Sequence, residues 1–362
     1  MKHADIPTSD DILRLAKNRD AASVTIYLPT SLIAVENEAA RMELRSLVEQ
    51  AVTQLRDAGT DKREITEIEE ALADLIDDSI FWAYTSNSLA LFVTPTSLQA
   101  FRIPSRLVAA VEVSDRFYIK PLMRATTFSH SAFVLALAQG SVRLVEISAD
   151  EPAETVAVPG LPADVSELSR GLRDDVGQKV RMRQYARAID TALRPVLAGR
   201  QVPLILAGAE PLVSIYRSVN TSPLLATDVV AGNPEERTDA QLAEHARPIL
   251  DGLYARQIAD ARELFNSRVA EGRTAVELGD VARAATHGAI DTVFVNIDET
   301  VSGLIDETTG AVQIDEQDDA INYSVVDEIV RRVLLGRGRV LAVRADEMPG
   351  NAAAAAILRY PS

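Results

Sequence analysis

Cysteine is absent from this chain of 362 residues. That absence excludes disulfide bridges, thiolate nucleophiles and Cys-ligated metals together. Long hydrophobic runs are missing too, and no stretch approaches the roughly 20 apolar residues needed to cross a bilayer. The opening Met1-Lys2-His3-Ala4-Asp5-Ile6-Pro7 has no apolar core and does not read as a signal peptide. Histidine is scarce: His3, His130, His245 and His287 are not spaced for a metal site, and none sits beside a serine nucleophile motif. No Gly-x-Ser-x-Gly, Walker loop or dinucleotide fingerprint occurs. The expectation is a soluble cytoplasmic protein without metal, cofactor or membrane association.

What the chain has instead is acid. Its formal net charge of −16 disfavours DNA binding or a general nucleic-acid coat, because affinity for phosphates comes from Lys and Arg. Its length exceeds what one hydrophobic core usually serves, so two or three domains are expected. Residues 1–117 read as an α/β domain. Thr8-Ser9-Asp10-Asp11 starts a helix, and Ser23 to Leu28 makes a buried strand stopped by Pro29. Helices follow from about Glu36 to Ala58 and from about Glu64 to Asp77. Ile80 to Tyr84 and Leu89 to Val93 then read as a hairpin across Thr85-Ser86-Asn87-Ser88.

Residues 118–255 are expected to place three antiparallel strands (Ala132 to Ala138, Ser141 to Ile147, Thr155 to Val158) before helix–strand alternation. The alternating part is a helix at Lys179 to Leu197, a strand at Leu204 to Ala207, a helix at Pro211 to Val219 and a strand at Leu224 to Val230. That is the order of an RNase H-like fold. The first strand, Ala-Phe-Val-Leu-Ala-Leu-Ala, carries none of the acids that metal-dependent nucleases of this fold require. A helix from about Thr238 to Val269 should be kinked or divided by Pro248. Residues 256–362 read as a small three-layer α/β/α domain, with strands at Thr292 to Asn296, Val340 to Val343 and Ala355 to Arg359. Eight acids and no Lys or Arg lie between Asp298 and Asp319 (Asp298, Glu299, Asp306, Glu307, Asp315, Glu316, Asp318 and Asp319). Their spacing fits a solvated hairpin and not an EF-hand.

Against this acidity stands a basic island. Arg170, Arg173, Lys179, Arg181, Arg183, Arg187, Arg194 and Arg200 face only Asp174, Asp175 and Asp190. Lys179, Arg183 and Arg187 recur at i, i+4 and i+8 on one helix face, with Asp190 and Arg194 nearby. Tyr185, Ile189, Leu193 and Val196 form the opposing apolar stripe. Two readings stay open: an ordinary amphipathic helix with a solvated basic face, or a phosphate-contacting helix behind Gly177-Gln178.

The C-terminal segment adds a resemblance. Thr274 to Ala284 leads into Ala285-Thr286-His287-Gly288-Ala289-Ile290-Asp291-Thr292-Val293-Phe294-Val295, and the chain closes on Ala354-Ala355-Ala356-Ile357-Leu358-Arg359-Tyr360. Ile26-Tyr27-Leu28-Pro29-Thr30, Asp115-Arg116-Phe117-Tyr118-Ile119-Lys120-Pro121-Leu122 and Ala231-Gly232-Asn233-Pro234 complete the set. Together these phrases resemble the bacterial branch of the archaeo-eukaryotic peptide-chain release factor superfamily, which includes pelota.

The resemblance implies an N-terminal domain, an RNase H-like middle domain and a C-terminal domain of kink-turn-RNA-binding type. It also implies that Val176, Gly177 and Gln178 stand where release factors carry the Gly-Gly-Gln that positions water for peptidyl-tRNA hydrolysis. Val176 in the first position narrows backbone freedom there. No codon-reading features are recognisable, so stop-codon decoding is not expected. The leading expectation is a ribosome-associated factor acting in hibernation, rescue or stress protection, with Lys179, Arg181, Arg183 and Arg187 on rRNA or tRNA phosphates. The alternatives are a peptidyl-tRNA hydrolase using Gly177 and Gln178, and a protein-binding adaptor without a ribosomal role.

Overall fold

The computed structural model describes residues 7–31, 36–103, 105–127, 131–147, 152–167, 177–198, 202–315 and 323–361. The chain forms two compact units. One combines residues 1–128 with 258–362, and the other holds 129–257.

The N-terminal segment starts with α1 (Ser9–Lys17), closed by a capping box between Thr8 and Asp11. Next come β1 (Ser23–Pro29), α2 (Asn37–Asp57), α3 (Lys62–Asp77) and a single turn, α4 (Ser79–Trp82). Strands β2 (Ser88–Thr94), β3 (Ser97–Ile103) and β4 (Ala110–Ser114) follow, then α5 (Lys120–Thr127). The strands make an antiparallel sheet in the order β3-β2-β1-β4. Central β1 is buried on both faces. Val24, Ile26 and Leu28 pack with α2 and α3, while Tyr27 joins Phe92 and Phe101 on the other side.

The expected strand at Ile80 to Tyr84 is corrected to helix α4. The Asp78 carboxylate accepts hydrogen bonds from the Ile80 and Phe81 N–H groups, which fixes a helical turn where composition favoured a strand. Trp82 is buried and donates its indole N–H to the Leu75 carbonyl. The hairpin partner of β2 is β3.

The middle unit runs β5 (Ala132–Leu137), β6 (Val142–Ile147), β7 (Glu154–Val156), α6 (Gln178–Leu197), β8 (Leu204–Gly208), α7 (Leu212–Arg217) and β9 (Leu225–Ala231). Its sheet has the order β7-β6-β5-β8-β9. The first three strands are antiparallel, and β8 and β9 run parallel to β5. Met182, Tyr185, Ala186, Ile189 and Leu193 of α6 are buried with Leu135 and Leu206. Val196, expected on this stripe, is only half-buried.

Helix α8 (Asp239–Val269) passes through Pro248 undivided and spans the boundary between the units. Pro248 and Glu244 are exposed, so the Glu244 carbonyl that loses its helical donor has access to water.

The C-terminal segment comprises β10 (Thr274–Ala275), α9 (Leu278–Thr286), β11 (Ile290–Asn296), β12 (Ser302–Ile305), β13 (Val312–Ile314), β14 (Tyr323–Ser324), α10 (Val325–Leu335), β15 (Arg339–Val343) and β16 (Ala354–Leu358). One sheet is ordered β10-β16-β11-β15, and a smaller one β13-β12-β14. The acidic stretch forms the β12–β13 hairpin. At its tip the Asp306 carboxylate accepts from the Thr308 and Thr309 N–H groups. Glu316, Asp318 and Asp319 lie outside the described residues.

The two segments of the first unit share one apolar core, in which Leu15, Tyr27 and Phe117 join Val293, Ile329 and Ala356. Residues 115–120 form its polar seam. The Tyr118 carbonyl accepts from the Tyr27 hydroxyl at 2.7 Å. Buried Asp327 accepts from the Ile119 and Lys120 N–H groups at 2.8 and 2.6 Å. Glu328, wholly buried, meets Arg116 at 2.5 Å and Arg331 and Arg332 at 2.6 Å. The sequence phrase from Asp115 to Leu122 therefore joins the first and last segments of the chain.

Candidate nucleic-acid interface

Helix α6 opens on Gly177, which lies outside the hydrogen-bonded turns with φ −60° and ψ 144° and makes no side-chain cap. That extended geometry is open to any L-residue, and a Cβ here would meet nothing within 4 Å. The Gly177 carbonyl accepts from Val180 N–H at 2.9 Å. Gln178 is the first helical residue and is exposed, and its side-chain amide donates to the Gln139 side-chain carbonyl at 3.4 Å. Gln139 belongs to the tight β5–β6 turn. There Gly140 lets Glu235 approach so closely that a Cβ would sit 2.7 Å from its Oε1. Val176, Asp174 and Asp175, with Arg170, Arg173 and Arg200, lie outside the described residues.

The basic island divides into two kinds of residue. Lys179, Arg183 and Arg187 are exposed, and among the described residues no ion pair reaches them. Arg181 is half-buried. Arg194, by contrast, is paired with Asp190 at 2.8 Å. Asp190 is buried and also accepts from the Thr221 N–H at 2.9 Å and from its hydroxyl. This acid, expected on the basic face, serves instead to hold the α7–β9 connection to α6.

The fold gives no local reason for the unpaired cations. Like charges at i, i+4 destabilise a helix by a few tenths of a kcal/mol per pair, roughly 0.2–0.5. A lysine in the first turn also opposes the helix dipole. Both penalties apply along Lys179, Arg183 and Arg187, and among the described residues no acid forms an ion pair with them. A phosphate chain would supply the missing counter-charge, and the uncapped first-turn N–H groups add donors for it.

The remaining candidates are placed as follows. His245 and His287 bond the Gln241 and Arg283 carbonyls of their own helices, and His3 and His130 lie outside the described residues. Strand β5 is apolar throughout, as its sequence requires. No group of three or more His, Asp or Glu among the described residues is arranged to hold a metal ion. No described helix is long and apolar enough to cross a membrane. Tyr185 is buried as its place on the apolar stripe requires, its hydroxyl finds no hydrogen-bond partner among the described residues, and burial pushes its pKa up. Sequence reasoning missed the Glu235–Gly140 contact. Only the small Gly140 in the turn hinted at that contact.

Residues 129–256 match the model of bacterial archaeo-eukaryotic release factor family 11. No curated protein sequence matches the chain. Among solved structures, an archaeal translation termination factor is 16% identical over 98% of this chain and 99% of its own, with a TM-score of 0.26. Dom34 of S. cerevisiae, a translation termination-like factor of RNA quality control, is 11% identical over 76% of this chain and 80% of its own (TM-score 0.44). Pelota of Archaeoglobus fulgidus is 13% identical over 98% and 93%, with a TM-score of 0.32. These scores are too low for the likeness to carry the architecture of this chain. The match to bacterial archaeo-eukaryotic release factor family 11 thus covers residues 129–256 and not the chain as a whole.

Proposed function

We propose that this protein is a cytoplasmic, ribosome-associated factor that docks α6 on rRNA or tRNA in hibernation, rescue or stress protection. The observation that carries the proposal is the row of exposed, unpaired cations Lys179, Arg183 and Arg187, inside the segment that matches a release factor family. Arg181, two positions from Lys179 and Arg183, is half-buried and lies on another face of the helix. In this reading residues 1–117, 118–255 and 256–362 act as N-terminal α/β, RNase H-like and kink-turn-type α/β/α domains. The strand order β7-β6-β5-β8-β9, three antiparallel and then two parallel, supports the middle assignment. Cosedimentation with ribosomes at rising salt tests the docking. Reversing Lys179, Arg183 and Arg187 to Glu should abolish binding at physiological salt, and unchanged binding would sink the proposal. A protein that never cosediments but captures one protein partner would be an adaptor.

A second reading keeps Gly177 and Gln178 as the water-positioning pair of a peptidyl-tRNA hydrolase. The exposure of Gln178 at a helix N-terminus favours it. Peptide release from stalled ribosomes should then vanish in Gln178→Ala, and equal activity in that variant would remove Gln178 from the chemistry.

A further inference from the structure

The α6 row that carries Lys179, Arg183 and Arg187 continues at the same interval through Thr191 and Pro195. Past Arg187 its chemistry changes from charge to small apolar surface. Arg187, Ala188, Thr191 and Pro195 form one wall of an open groove, and the Pro159–Gly160 turn beyond β7 forms the other. The groove is open to solvent and has a volume of about 520 Å³.

Two backbone features shape this groove. Gly160 turns the chain at φ +77°, and no atom lies within 4 Å of where its Cβ would be. Pro195 lacks an N–H, so the Thr191 carbonyl loses its helical donor. That carbonyl and the Thr191 hydroxyl are hydrogen-bonding groups on a wall that is otherwise apolar up to Arg187.

We propose that the groove seats one unstacked base of a single-stranded RNA whose phosphates run along Lys179, Arg183 and Arg187. This rests on the RNA-docking reading above. Charge complementarity selects the polyanion, since three unpaired cations at helical steps of about 6 Å lead directly to the groove. The groove then selects the strand state. A duplex keeps its bases stacked and offers this surface phosphates alone, whereas a single strand can turn a base outward. Proline rings and the Ala188 methyl give that base an apolar seat, and Thr191 meets its polar edge.

Fluorescence anisotropy of the full chain with a labelled single-stranded oligocytidylate tests the seat. The comparators are an abasic ribose-phosphate strand of equal length and a duplex of the same strand. The abasic strand, the duplex and the groove-filling variant Thr191→Trp should each bind about five- to tenfold more weakly, as loss of about 50 Å² of buried apolar contact with one base predicts. Thr191→Trp should leave the salt dependence unchanged, while Arg187→Ala should lower its log–log slope by about 0.7. Arg194→Ala should leave the slope as it is, because Arg194 is held by Asp190.

Equal affinity for the abasic strand, undiminished binding by Thr191→Trp, or no binding of oligocytidylate by the parent would each overturn the seat. The phosphate reading fails separately, when reversal of Lys179, Arg183 and Arg187 leaves ribosome binding intact.

Discussion

Four residues separate Arg194 from Asp190, the same interval that relates Lys179, Arg183 and Arg187, yet the two sets do opposite work. Asp190 is buried and accepts from the Thr221 N–H and hydroxyl as well as from Arg194. Its removal takes away the charged acceptor shared by the Thr221 N–H, the Thr221 hydroxyl and Arg194, so Asp190→Ala should cost about 1–3 kcal/mol in urea unfolding. Arg194 is 59% exposed, and Arg194→Ala should cost no more than about 1 kcal/mol. Gly177 tests the residue scale differently. Its ordinary φ and empty surroundings predict that Gly177→Ala costs no more than about 1 kcal/mol, from weaker N-capping alone. A larger loss in thermal unfolding would mean that the loop before α6 constrains Gly177 in another way.

Helix α6 sets stability against binding. Its apolar stripe was legible at 3.6-residue spacing, and Tyr185, Ile189 and Leu193 are all buried as expected. Its N-terminal charges are unfavourable for the helix itself. Lys179→Glu should therefore stabilise the protein by about 0.3–1 kcal/mol, because an acid in the first turn complements the dipole and meets Arg183 one turn on. The same variant should weaken ribosome binding. Chemical unfolding and cosedimentation on one preparation check both signs, and a destabilised variant would contradict the dipole argument. Element α4 shows where spacing fails. Ile80 to Tyr84 has strand-like composition, but the Asp78 carboxylate holds the Ile80 and Phe81 N–H groups in a turn. One capping side chain outweighs the local preference of the residues it caps.

The polar seam between distant segments dominates the first unit. Asp327 is pushed up to about 7 by burial, with Glu328 adding to the rise and the Lys120 and Ile119 N–H groups opposing it. Burial would also raise Glu328, but Arg331, Arg116 and Arg332 hold it at about 2. The two carboxyls give opposite slopes of stability against pH. The Asp327 contribution is complete below its usual 3.8 and is lost as pH rises through about 7. That of Glu328 is complete above its usual 4.5 and is lost as pH falls through about 2. Urea midpoints across pH should therefore show Asp327→Asn flattening the decline between about pH 4 and 7. Glu328→Ala leaves Arg116, Arg331 and Arg332 without their shared partner and should cost about 3–5 kcal/mol at neutral pH. Coincident pH profiles for Asp327→Asn and the parent would remove Asp327 from this account.

The sequence by itself determined the elements of the middle unit, because strand alternation and helical periodicity are local properties. It also located the cations of α6 and the acidic β12–β13 hairpin, since charge is read residue by residue. Only the tertiary structure decided which of those charges are free. Asp190 neutralises Arg194 because Thr221, distant in sequence, draws the acid inward. Likewise, Asp327 serves the backbone of residues 119 and 120 from more than 200 positions away, and no spacing rule spans that interval. The groove beside Arg187 exists because the Pro159–Gly160 turn lies against α6. Packing brings these groups together, and packing is not a property of any one stretch of chain.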